Sequence, residues 1–143
     1  MSSPVLSEQG AQRSSLKERS VARIAVGTAM VMCRLSPSAI RGILIKTVRT
    51  GKRPPTSYVI RYRRLVASVS TFCAGEGCLP RSIAIALVAR MYGYGVTWCT
   101  GVKDNPFVAH AWVEIDGKPI GEVSDLSKFN RLMVAEPNYV FYS

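Results

Sequence analysis

A cysteine that opens a helix is the residue in this chain best placed to do chemistry. Cys78 directly follows Gly77 in the Gly-rich break Ala74-Gly75-Glu76-Gly77. The apolar run that comes after it, Ile83 to Ala89, predicts a helix from Cys78 to Tyr92. In the first turn of a helix, unpaired N–H groups and the macrodipole stabilise an anion. A thiol there is pulled toward thiolate, the form that attacks carbonyl carbon. The same N–H groups suit the oxyanion that such attack creates. A buried cysteine acting as a small hydrophobe is the plainer alternative.

Nucleophilic cysteine chemistry needs a base, and His110 is the only histidine. It lies in Phe107–Ile115, whose alternation predicts a strand. Period 2 puts His110, Trp112 and Glu114 on one face and Ala109, Ala111, Val113 and Ile115 on the other. A third group must orient the imidazole. Glu122 and Asp116 are the candidates, with Asp125 further along the chain. Asp116 is already accounted for by the Asp116-Gly117 hairpin turn. With a two-residue turn, Glu122 pairs with Ala111, on the wrong face. With a three-residue loop it lies diagonally beside His110. Arg81, Trp98 and Trp112 are candidates for substrate contact. An arginine one turn into a helix more often braces its neighbours, and a tryptophan more often packs in the core.

These residues need elements to position them. Ser15 caps a helix over about 16–35, with Val21, Ile24, Ala25, Thr28, Val31, Met32 and Leu35 as the expected inner stripe. Ser36-Pro37 opens a second helix, Pro37–Thr50, closed by Gly51 as a C′ glycine. Its stripe is Ile40, Ile43, Leu44, Thr47 and Val48. A third starts at Thr56 or Ser57 and turns Val59, Tyr62, Leu65, Val66 and Val69 inward, with Arg61, Arg63 and Arg64 outside. The fourth, starting at Cys78, is apolar nearly all round, which marks it as central. Strands follow at Val96–Val102, Phe107–Ile115 and Lys118–Val123. The tail, Leu126–Ser143, reads as a short helix and a terminal strand, Tyr139–Tyr142. Helices followed by an antiparallel sheet make an α+β fold. The expected organisation is a flexible arm over 1–14, a basic helical region over 15–72 and a catalytic core over 73–143, in one compact domain.

Composition fits this reading. The 143 residues are 48% hydrophobic and 20% charged, which excludes collagen-like and disordered classes. The longest uncharged apolar run of the first half, Ile24 to Cys33, is too short for a membrane span. No signal-peptide pattern precedes it, so a soluble cytoplasmic protein is expected. Four cysteines without Cys-x-x-Cys spacing, and one histidine, argue against a zinc site and against any metal or cofactor. Charge is lopsided. Residues 1–64 hold 13 Lys and Arg against Glu8 and Glu18, while residues 65–143 hold six against seven acids. Such a half attracts an acidic protein, a nucleic acid or an anionic lipid surface, unless it is only a solvated face.

Cys-Leu-Pro-Arg-Ser at 78–82, Gly101-Val102, Pro106-Phe107, Ala-His-Ala-Trp-Val-Glu-Ile-Asp-Gly at 109–117 and Gly121-Glu122 form an ordered set. Over about residues 60–133 it resembles the leader peptidases of lasso peptide biosynthesis. These are transglutaminase-like cysteine proteases, here in the stand-alone form that corresponds to the C-terminal half of the lasso B protein. The resemblance implies a papain/transglutaminase-like core with Cys78 as nucleophile and His110 as base. The family places an acid, often Asp, about twelve residues after the His, where Glu122 stands. It further implies removal of the leader from a ribosomally made precursor peptide. A separate leader-recognition protein and an ATP-dependent cyclase act with it, and no nucleic acid is involved. A peripheral membrane contact of the basic half stays open. Other readings of the same site are acyl transfer to an amine, as in transglutaminases, or a non-catalytic basic binding module.

Overall fold

The computed structural model describes residues 15–122 and 125–139. The arm expected over 1–14 lies outside them, as does all but Tyr139 of the strand expected at Tyr139–Tyr142. Five helices lie among the described residues: α1 (Leu16–Met32), α2 (Pro37–Val48), α3 (Thr56–Val69), α4 (Thr71–Ala74) and α5 (Cys78–Met91). They pack on a four-stranded antiparallel sheet of β1 (Thr97–Lys103), β2 (Val108–Ile115), β3 (Lys118–Pro119) and β4 (Asn130–Ala135), in the order β3-β2-β1-β4. The α+β architecture is the one the sequence implies.

Local chemistry sets the helix starts. Ser15 and Glu18 form a capping box at α1, and Ser36 caps α2 with Pro37 at its first position. Central α5 is buried at Ile83, Ala84, Ile85, Ala86, Val88 and Ala89. It contacts α1, α3 and the sheet, and one core cluster runs from Ala22 in α1 to Ala135 in β4.

The inner face of α1 differs from expectation. Ala22, Ala25, Ala29 and Met32 are buried, while Ile24 and Val31 are 60% and 66% exposed. α5 is itself rich in alanine, so the two helices approach closely through small residues, which turns the larger apolar side chains outward. Ile43 of α2 is 40% exposed, whereas the inner face of α3 buries Val59, Tyr62, Leu65 and Val66. Gly51 is not a left-handed cap. A Cβ there would fall inside the backbone of Tyr94 and Gly95, where Lys52 bridges Tyr94. Close approach is its reason.

β4 replaces the helical stretch expected in the tail. It pairs with β1, with a bulge at Thr100/Gly101. β3 is only two residues long, and it follows a two-residue turn: Ile115 faces Lys118 and Glu114 faces Pro119. No helix among the described residues is long and apolar enough to cross a membrane.

Candidate active site

Gly77 ends the loop before α5 and leaves Cys78 at the helix's first position. A Cβ on Gly77 would meet the Phe72 ring at 2.6 Å, so glycine lets the α4 segment pack against the chain beside the thiol. Arg81, one turn along, holds that loop from beneath. Its Nη1 donates to the carbonyls of Cys73 (3.0 Å) and Gly75 (3.1 Å). The first turn is less open to an oxyanion than expected. The Cys78 N–H donates to Glu76 O at 2.9 Å, Pro80 has no N–H, and the Arg81 N–H donates to Gly77 O.

β2 brings His110 to Cys78. One imidazole nitrogen, Nε2, lies 2.6 Å from Glu122 Oε1. The thiol is also hydrogen-bonded to the His110 ring. The His110 bond draws the Cys78 thiol below its ordinary value against the pull of burial. The Ala111 N–H and the charges of His110 and Arg81 add to this. His110 moves the opposite way, pushed up to about 9 by its bonds to Cys78 and then Glu122. Burial raises the Glu122 carboxyl, but the hydrogen bond and charge of His110, then Arg63 and Arg81, outweigh it and leave it lowered. Each shift favours the charged form of its group: thiolate, imidazolium and carboxylate.

The route by which Glu122 arrives is a correction. The hairpin has the two-residue register, in which a continued strand puts Glu122 on the wrong face. The strand does not continue. Ile120 N–H still bonds to Val113 O at 3.0 Å, and Gly121 then takes φ +75° and turns the chain. Glu122 leaves the ladder and reaches His110 from the side. Asp116, the alternative third residue, sits in the turn and pairs with Arg53 at 3.2 Å, both largely exposed.

Two further expectations change. Arg81 and Trp112 are buried, with their polar groups bonded within the protein. Trp112 instead forms a wall for the imidazole: the rings stack at 5.8 Å, and Phe129 closes over both at 6.1 and 5.9 Å. Trp112 Nε1 donates to Glu114 Oε2 at 2.7 Å, and Arg131 holds Glu114 at 2.6 Å. Trp98 is core, with Nε1 on Ser82 Oγ. Cys99 is buried, its thiol pushed up to about 12 by burial and by Glu114. Arg63, assigned to the outside of α3, donates to Glu122 Oε2 at 3.1 Å. Arg61 pairs with Glu18 at 2.8 Å. Sequence reasoning missed Arg63 and Phe129, which lie in segments without any motif.

A family model described as the transglutaminase-like superfamily matches residues 22–134. No curated protein and no solved structure matches the chain.

Proposed function

The chain belongs to the transglutaminase-like superfamily, and on that premise we propose that it is a cysteine peptidase acting through Cys78, His110 and Glu122. The observation that carries the reading is the 2.6 Å bond between His110 Nε2 and Glu122, on a ring that is also hydrogen-bonded to the helix-start thiol. The Cys78 thiolate attacks the scissile carbonyl carbon and a C–S bond forms. The His110 imidazolium gives its proton to the departing amine as the C–N bond breaks. Water, deprotonated by His110, then attacks the thioester. It releases the acid and returns the thiol. Glu122 keeps the ring in the orientation and tautomer both steps require.

The substrate is a lasso precursor peptide, cut once to free its leader before a separate ATP-dependent cyclase closes the ring. The motif set quoted above supports this, and it also supports a separate leader-recognition protein as partner and a cytoplasmic setting. Acyl transfer to an amine uses the same thioester and is the second reading, favoured by the superfamily itself. A non-catalytic basic binding module is the third.

Purified protein with precursor and recognition protein tests the proposal. Wild type is expected to release leader, and Cys78→Ala to release none while unfolding as cooperatively as wild type. Cleavage by Cys78→Ala at the wild-type rate removes the nucleophile. A product carrying an added amine, in place of a free carboxylate, selects acyl transfer.

A further inference from the structure

Glu122 is a long carboxylate in a place where a shorter one would leave less freedom. It has one more rotatable bond than Asp, and its side chain is only 7% exposed. His110 occupies Oε1 alone. The second oxygen, Oε2, receives Arg63 Nη1 at 3.1 Å. Arg63 stands on α3, 59 residues away in sequence. Its stem also backs the turn that delivers Glu122: a Cβ on Gly121 would meet Arg63 Cδ at 2.7 Å. The carboxylate plane is therefore fixed from both sides, by the imidazole and by the guanidinium.

We propose that Arg63 is a positioning residue of the active site, holding the Glu122 carboxylate in the plane that faces His110 and keeping it ionised there. The inference rests on the peptidase reading and deepens it. Arg63 acts on the thiol only through Glu122 and His110. Removing Arg63 leaves Oε2 without that donor and leaves His110 and Arg81 as the remaining positive partners of a carboxyl that burial already pushes toward its neutral form, so the balance shifts toward protonated Glu122. Neutral Glu122 no longer supports the imidazolium, and the imidazolium then no longer supports the thiolate. Arg61 is the natural control. It lies on the same helix and is ion-paired too, but with Glu18 of α1.

The pH dependence of Cys78 alkylation by iodoacetamide, read by peptide mapping, tests this without any substrate. In Arg63→Met the acid limb is expected to move up by about one pH unit, a roughly tenfold loss of thiolate at the wild-type midpoint. Arg63→Lys, which keeps the charge, is expected to restore most of it, and Arg61→Met to match wild type. If Arg63→Met does not unfold cooperatively, Arg63→Gln takes its place. On precursor, kcat is expected to fall with KM little changed. A depressed wild-type limb that stays put in the neutral Arg63 variants overturns the inference alone. A wild-type Cys78 that alkylates like an ordinary thiol overturns the peptidase reading and the inference with it.

Discussion

At the scale of residues, the site works by drawing the thiol down and pushing the imidazole up. The thiol is drawn below its ordinary value and the imidazole is pushed up to about 9, so between those limits the charged pair is the resting state. The apparent values belong to the pair, since each group's first cause is the other. The sign of the pH effect follows. Below the acid limb the thiolate is protonated and attack stops. Above about pH 9 the imidazolium is deprotonated, and the leaving amine has no proton donor. Single-turnover cleavage should therefore be bell-shaped, with its alkaline limb near 9. In Glu122→Gln the ring loses a charged partner, so that limb should drop toward the ordinary histidine value of about 6.5. The rate should fall by roughly one to four orders of magnitude. An unmoved alkaline limb with an unchanged rate takes Glu122 out of the site. Asp116→Asn should change neither, because Asp116 serves the turn and an exposed pair with Arg53.

At the scale of elements, the decisive feature is where β3 stops. Lys118-Pro119-Ile120 alternates well enough to suggest a strand continuing to Val123, but Gly121 at φ +75° breaks it. The hairpin end has a second left-handed glycine, Gly117 at φ +81°, with nothing within 4 Å of a Cβ. The two make a matched pair. Ala at either costs about 1–2 kcal/mol for the left-handed backbone, readable as a lowered urea midpoint. Gly121→Ala also drives its Cβ into the Arg63 stem, so cleavage should fall well beyond what the stability loss explains. Gly117→Ala should keep near wild-type cleavage. Equal activity in both would mean that the Gly121 turn does not set the Glu122 position. The same elements explain what was legible. Cys78 and His110 stand out because a Gly break before an all-apolar helix and a period-2 strand are local patterns. Glu122 was legible by position, though not by route, since the sequence alternation does not show where a ladder ends. Arg63 has no local signal, because its partner comes from the far end of the chain. β4 was hidden by Leu132 and Met133, good helix formers on an edge strand that buries little besides Ala135. The inner face of α1 follows size and not hydrophobicity: the alanines pack inward and the larger Ile24 and Val31 face outward.

At the scale of the whole molecule, the basic first half and the half carrying the thiol share one structure. Two acids of the second half are met by arginines of the first: Glu122 by Arg63 and Asp116 by Arg53. Backbone bonds join Lys52 to Gly93 and Gly95, and Asn138 to Arg49 O. Central α5 buries one side on α1 and α3, and the superfamily match begins inside α1, at residue 22. Part of the charge asymmetry is therefore met within the molecule. A fragment of residues 73–143 keeps Cys78, His110 and Glu122 but exposes the apolar face of α5 that α1 and α3 cover, and it leaves Glu122 without Arg63. It is expected not to fold. Circular dichroism should show no cooperative thermal transition, and Cys78 in the fragment should alkylate with the pH dependence of a free thiol, near 8.5. Adding a peptide of residues 15–72 in trans should restore part of the structure if the interface forms without the covalent link. A fragment that melts cooperatively and retains a depressed thiol would show that the sheet and α5 suffice, and would return the helical half to the role of a separate basic appendage available to partners.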